Sequence, residues 1–410
     1  MPRVIVVGAG PAGLASAIFL ARAGVEVLVL EGAPGLRARP GGEGMMPPGV
    51  AQLAELGVLE AVRARGASAF QGIAYFDGGR ELARADFPAP PAVAGGLRAD
   101  GAAGDAGLGV RRPGLEAALL GRLSGLGSAE VRFGCAVQGL VWRGGRVAGV
   151  ALRDRRELAD AVLGADGLKS TVRRMIGAES RPRRAGARFG VCGHFEWESS
   201  RPQMTHVQVH LVEGGELYRT PCGAGVEGWI FLSREEVVRG WVSRGGPGLS
   251  AGFEAHARSV PELARALEGA RPLGRVGAIG PLQAPATRRW APGVLLVGDA
   301  AGFLDALTGE GLALGLTTAR AAVELLLESG LRVGFSEGHR YERAWRDATR
   351  QPWALTRALL FLTARRWLAL QALGRLGRHP DAMRRLLGIN CGYGGLGRFL
   401  AADLPRLILG

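Results

Sequence analysis

Lysine is almost missing from this chain: of 51 basic residues only Lys169 is not arginine, so the formal net charge of +14 marks an arginine-biased composition. No helix-turn-helix, zinc-finger or aromatic RNA-binding pattern accompanies that charge, which argues against nucleic acid as a partner. Cysteine is scarce too. Cys135, Cys192, Cys222 and Cys391 lie far apart, with no C-x-x-C and no His/Cys zinc spacing, so no disulfide framework and no metal site is expected, and a reducing, cytoplasmic setting fits. The first residues lack the charged leader and apolar core of a signal peptide, and no apolar run reaches the roughly 18 residues of a membrane span. What remains is an ordinary globular composition, 47% hydrophobic over 410 residues, long enough for two or three structural units.

The chain opens on VIVVGAGPAGLASAIFLARAGVEVLVLE. Val4 to Val7 is the continuous apolar run of a buried parallel strand, and the helix expected after it, Ala12 to Ala23, is built of small residues. Between them stands Gly8-x-Gly10-x-x-Gly13, enclosing Pro11 and Ala12. Gly8 permits a tight turn, Gly10 lets the backbone approach a pyrophosphate, and Gly13 lets helix and strand pack closely, with phosphates at the positive helix N-terminus. The second strand, Val25 to Leu30, ends at Glu31 and Gly32. A carboxylate about 20 residues on can accept hydrogen bonds from both ribose hydroxyls and disfavours a 2′-phosphate, so the site suits FAD or NAD rather than NADP. A dinucleotide fold alone names no reaction.

Two later stretches decide between them. GADGLKSTVRR, Gly164 to Arg174, follows a strand expected around Ala161 to Leu163. GVLLVGDAAGFLDALTGEGLALGL, Gly293 to Leu316, places Gly298 and Asp299 at the end of a strand, with a helix starting near Gly309-Glu310-Gly311. An acid there can bind a sugar-chain hydroxyl, and a helix N-terminus can stabilise negative charge on a reduced ring.

The three motifs, in this order, resemble the flavoprotein monooxygenase superfamily with the para-hydroxybenzoate hydroxylase fold, which includes the geranylgeranyl reductases and flavin-dependent halogenases. The resemblance covers roughly residues 3 to 325. It implies FAD, with Glu31 on the adenosine ribose, Asp299 on the ribityl chain, and Gly309 to Leu312 by the isoalloxazine. Asp166 resembles the acid that serves both FAD and pyridine-nucleotide binding, and NADH or NADPH is the implied electron donor. VRRPGLEAALLGRL, Val110 to Leu123, resembles a segment whose arginine reaches the ribityl-pyrophosphate region, which makes Arg112 a candidate. Arg37 and Arg39 fall where relatives often place a phosphate-contacting arginine.

The implied fold is α/β. A Rossmann-like FAD-binding domain is discontinuous over 1–75, 100–180 and 275–330, an inserted, mainly antiparallel β-sheet substrate domain spans 185–275, and a helical region fills 340–410. Within the insert, HVQVHLVEGGELYRT reads as a strand and a Gly-Gly hairpin, and GVEGWIFLSREE as a further strand. His194, His206, His210, Tyr218, Trp229 and Phe231 are candidates for a cavity over the flavin; no triad or metal spacing links the histidines. Phe87 to Gly109, rich in Pro, Gly and Ala, reads as a loop or lid. From Arg340 onward thirteen arginines face four acids, and WALTRALLFLTARRWLALQALGRL has helical apolar spacing. Such a helix either caps the substrate cavity or lies on an anionic membrane surface. Leu386 to Phe399, LLGINCGYGGLGRF, breaks the helical pattern with glycines and suggests no function.

Aromatic hydroxylases of this fold carry a histidine and a proline where this chain has Gly302 and Ala306. GDAAGFLDALTGEG, with GGEGMMPPGVAQLAELG at Gly41 to Gly57, looks closer to the geranylgeranyl-reductase and halogenase side, and Met45 and Met46 would then approach the flavin. A halogenase needs an active-site lysine, and the only one here lies in the middle motif. The expected activity is therefore an FAD-dependent monooxygenase, using NAD(P)H, O2 and a flavin C4a-hydroperoxide to hydroxylate or epoxidise a lipophilic or aromatic small molecule. The alternative is a reductase of isoprenoid double bonds, with a halogenase or a non-catalytic flavin-binding protein further off.

Overall fold

Val4 to Val7 are 0–6% exposed, as a continuous apolar strand requires when both faces of its sheet are covered. In the computed structural model, which describes residues 3–36, 39–91, 105–180, 187–198 and 202–409, this strand lies inside a six-stranded sheet. The order is Trp290–Ala291, Val294–Leu296, Ala161–Gly164, Arg3–Val7, Glu26–Leu30 and Ala129–Arg132. Only the first pair is antiparallel. Helices Pro11–Arg22 and Arg112–Ser124 pack against it, and helix Gly311–Glu328 packs on Pro11–Arg22. The glycine turn works sterically. Gly8 has φ +106° and a Cβ there would sit 2.6 Å from the Ala165 carbonyl oxygen, while a Cβ on Gly13 would sit 2.0 Å from the Gly8 oxygen.

An eight-stranded sheet forms the second layer, in the order Ala270–Pro272, Arg188–Trp197, Val226–Arg234, Gly215–Gly223, His206–Val212, Gly72–Asp77 and Arg80–Asp86, with Gly277–Ile279 also on Arg188–Trp197. Its pairings are antiparallel except His206–Val212 with Gly72–Asp77. The boundary expected at residue 75 falls inside one of these strands. Gly72–Asp77 and Arg80–Asp86 belong with the insert because the chain crosses to that sheet and hydrogen-bonds there long before residue 185. Much of the loop expected over Phe87 to Gly109 lies outside the described residues, but its end, Gly107–Gly109, is a strand between Gly44–Met45 and Ser68–Phe70. Glycine suits that strand because a Cβ on Gly109 would meet the Pro221 carbonyl oxygen at 1.7 Å.

The C-terminal region is helical: Phe335–Thr363, Arg366–Arg378, Pro380–Asn390, Leu396–Ala402 and Leu404–Leu409. Leu355, Met383 and Leu387 bury against Phe70, Ile73, Val207 and Val209 of the sheet side. Among the described residues no helix is long and apolar enough to cross a membrane.

Candidate functional site

A cavity of about 660 Å³ runs from the carboxyl ends of the parallel strands, past the eight-stranded sheet, to the C-terminal helices. Its size is that of an ordinary small-molecule site.

At one end Glu31, 7% exposed, closes the second strand. Its Oε2 accepts from the Ala9 amide at 3.0 Å and its Oε1 from the Ala33 amide at 2.9 Å and Arg39 Nη2 at 2.8 Å. Burial alone would raise this carboxyl, but the two amides and the Arg39 guanidinium outweigh it and hold Glu31 below its ordinary value. Arg39 thus steadies the acid, whereas it was expected at a phosphate; Arg37 lies outside the described residues. Gly10 differs from Gly8 and Gly13 in that no atom comes within 4 Å of where its Cβ would sit. It lines the cavity together with Pro11, Ala12 and Gly32, and no side chain caps the helix that follows. That leaves open space and free amides where a pyrophosphate would bind.

Midway along, Arg112 and Asp299 line the cavity. Burial pushes the Asp299 carboxyl up, with Arg112 and Arg173 pulling the other way. Arg112 touches Glu116 at 3.3 Å, and its Nε is buried without a partner. Asp166 also lines the cavity and caps a helix there: its carboxylate accepts from Ser170 Oγ and from the amides of Thr171 at 2.6 Å and Val172 at 3.0 Å. Arg173, which the sequence did not single out, is 2% exposed and donates to the carbonyls of Leu168, Asp299 and Ala300, tying the second motif to the third.

Gly298, Gly309, Gly311 and Leu312 line the far side of this stretch. Gly309 has φ +69°, and its missing Cβ would lie 3.3 Å from Met46 Cε. Met46 lines the cavity; Met45 does not, being packed against Gly49. Glu310 borders a side chamber of about 20 Å³ rather than the main cavity.

The remaining wall is apolar and alternates along the strands, as side chains must. Ile230 and Leu232 face the cavity, while Trp229 and Phe231 face the opposite side of the sheet, against helices Leu249–Arg258 and Pro261–Ala266. Val207 and Val209 face in, leaving His206 on Asp86 at 2.9 Å and His210 stacked on Phe76 at 4.9 Å. Burial, aided by Arg219, drives His210 down to about 3 and keeps it neutral. These four residues are therefore not cavity groups: a period of two marks a strand but not which face meets the site. Tyr218 does line the cavity and donates to the Leu307 carbonyl at 2.8 Å.

His194 stands behind the cavity wall, 2.6 Å from Glu43 Oε2. Glu43 lines the cavity and also receives Cys222 Sγ at 3.4 Å and the Arg112 amide at 3.3 Å, so it pins the Gly41–Gly44 segment between sheet and helix. Its only sequence signal was an acid between glycines. Leu355, Leu359, Met383 and Leu387 close the cavity from the C-terminal helices, the capping role expected for that region. Among the described residues no cluster could hold a metal ion.

The donor set fits FAD. A ribose acceptor, an open glycine cradle at a helix N-terminus, a guanidinium with a spare donor and an acid facing the cavity follow one another in the order of its parts. Known proteins agree. The sequence pattern of the family described as "FAD binding domain" matches residues 1–330. The 6-methylpretetramide 4-monooxygenase of Streptomyces rimosus is 30% identical over 351 residues, 82% of this chain and 77% of that protein. The menaquinone reductase of Mycolicibacterium smegmatis is 30% identical over 398 residues, 93% of this chain and 88% of that one. The crystal structure of a flavoprotein/dehydrogenase from Cytophaga hutchinsonii superposes with TM-score 0.79 at 20% identity, covering 95% and 93% of the two chains.

Proposed function

The chain belongs to the FAD binding domain family and is an FAD-dependent oxidoreductase, and from that premise we propose that it is an NAD(P)H-dependent monooxygenase of a lipophilic or aromatic small molecule. The observation that carries this reading is the single cavity that joins the FAD cradle to an apolar chamber closed by the C-terminal helices. When bound, FAD supplies the redox chemistry, accepting hydride and activating oxygen. The protein's residues do the rest. Glu31 holds the adenosine ribose, the turn at Gly8 to Gly10 and the start of helix Pro11–Arg22 hold the pyrophosphate, and Arg112 and Asp299 orient the ribityl chain. Ile230, Leu232, Val207, Val209, Leu355 and Leu387 exclude water and position the substrate. The N-terminus of helix Gly311–Glu328 favours negative charge at the ring edge.

A second reading, reduction of an isoprenoid double bond by the same cofactor, draws support from the menaquinone reductase relative, which covers 93% of this chain. Rapid mixing separates the two. FAD-loaded protein reduced without oxygen is mixed with O2, and a transient absorbing species distinct from reduced and oxidised flavin is expected. Direct one-step return to the oxidised spectrum would overturn oxygen insertion in favour of the reductase.

Under either reading the substrate is apolar. Phe361, on helix Phe335–Thr363 that closes the cavity, and Trp367, on the next helix Arg366–Arg378, are each 60% exposed, with Arg365 stacked on Phe361 at 4.5 Å. Contact of this face with an anionic bilayer would present such a substrate to the cavity.

A further inference from the structure

The glycine-broken segment Leu386 to Phe399 contributes one polar group to the site. Asn390 Nδ2 donates to the Thr308 carbonyl at 2.9 Å, Thr308 Oγ1 lies 2.9 Å from Thr356 Oγ1, and Thr356 Oγ1 donates to Glu310 Oε1 at 3.1 Å. Thr308 and Asn390 line the main cavity. Glu310 and Thr356 lie behind them, 5% and 0% exposed. Three separate elements, the loop before helix Gly311–Glu328 and helices Phe335–Thr363 and Pro380–Asn390, thus build one hydrogen-bonded chain from a buried carboxyl to the cavity wall.

The chain is suited to carry a proton. Glu310 Oε2 is buried with no partner, no arginine touches either oxygen among the described residues, and an ionised carboxylate so placed is heavily penalised. Burial pushes this carboxyl up to about 7, against the pull of the Thr308 and Thr356 hydroxyls. Asp299 and Asp305 share its side chamber, Asp305 being paired with Arg188 at 3.5 Å. Cys391, at the end of helix Pro380–Asn390, is itself pushed up to about 12, chiefly by burial and further by Glu310. Each hydroxyl both donates and accepts. With Glu310 neutral, its own hydrogen serves Thr356, whose hydrogen then turns from the Pro352 carbonyl to Thr308 Oγ1, each 2.9 Å away.

We propose that Glu310 is the proton store of the flavin cavity, delivering its proton through Thr356 and Thr308. The Glu310 O–H bond breaks and its proton passes to Thr356 Oγ1. The Thr356 proton moves to Thr308 Oγ1, the Thr308 proton enters the cavity, and Glu310 stays a carboxylate until a proton returns by the same route. The inference rests on FAD occupying the cavity and not on which reaction follows. Oxygen insertion and double-bond reduction would each consume one proton per nicotinamide oxidised, and substrate-free passage of the same two electrons to O2, giving H2O2, would likewise draw one proton beyond the one FAD itself would supply.

Because Glu310 acts through Thr308, its test is a pH profile rather than a loss of rate. FAD-loaded, photoreduced protein without substrate is mixed with O2 across about pH 5 to 9. The reoxidation rate is expected to fall about tenfold as pH rises through the Glu310 titration. The fall should vanish in Glu310→Gln; Thr356→Val should slow the low-pH limb about tenfold, and Thr356→Ser should restore it. An infrared band of a neutral carboxyl that is lost over the same range and absent from Glu310→Gln provides a readout that needs no turnover. An unchanged bend in Glu310→Gln, or a flat wild-type profile, would overturn the proposal. If Glu310→Gln fails to hold FAD, the Thr356 pair decides, since a Thr356→Val variant as fast as wild type would sink the relay.

Discussion

In the proposed FAD site Glu31 and Asp299 would divide the work of holding the cofactor, and their surroundings predict different responses to substitution. Glu31 is fixed by two amides and Arg39, so Glu31→Ala removes a ribose acceptor and also frees the turn around Ala9. Asp299 faces the cavity and makes no side-chain hydrogen bond among the described residues. Asp299→Ala should therefore weaken FAD binding with little loss of apoprotein stability, whereas Glu31→Ala should lower both. Flavin absorbance per protein and thermal melts of the stripped protein separate the outcomes, and about 1–3 kcal/mol of binding is expected from each.

Glu310 makes a second prediction at this scale. Its carboxyl is raised from 4.5 to about 7 in the folded chain, so between those values the native state holds a proton that the unfolded chain has lost. Stability from this group is full below 4.5 and is lost as pH rises through about 7, an effect of at most about 3 kcal/mol. Glu310→Gln should flatten that falling limb in denaturant titrations across the window. A limb of unchanged depth in the variant would assign the titration to another group.

At the scale of elements, the two faces of the eight-stranded sheet separate substrate handling from stability. Trp229→Ala empties a core position that is 0% exposed and should cost about 3–5 kcal/mol, yet leave FAD content in the surviving folded fraction unchanged. Ile230→Phe, one residue away, fills the cavity instead. It should raise KM for a bulky apolar substrate while moving the melting temperature little. The sequence made the strand plain and hid the face, because alternation looks the same when shifted by one residue. The FAD cradle was more legible, since Gly8, Gly10, Gly13, Glu31 and Asp299 are each required locally, by a turn, a close approach or a strand end. Glu43, Arg173 and Asn390 left no such trace. Their roles come from pairing across 69, 126 and 82 positions of chain, and local patterns carry no information over that separation.

At the scale of the whole molecule, the basic C-terminal helices combine an apolar seal on the inside with exposed Phe361 and Trp367 outside. If that outer face meets anionic lipid, the chain should sediment with anionic vesicles and much less with neutral ones, and the binding should weaken with salt. Phe361→Ser together with Trp367→Ser should abolish the sedimentation without changing FAD content. Equal binding to neutral vesicles, or none to anionic ones, would remove the bilayer from the account.

Every group assigned to the FAD cradle lies before residue 316, while the helices that close the cavity begin at Phe335. A ribosome releases the chain in that order. The nascent protein therefore has every group of its cofactor cradle outside the ribosome before the helices that close the substrate chamber, so the two ends of one cavity are synthesised at different times.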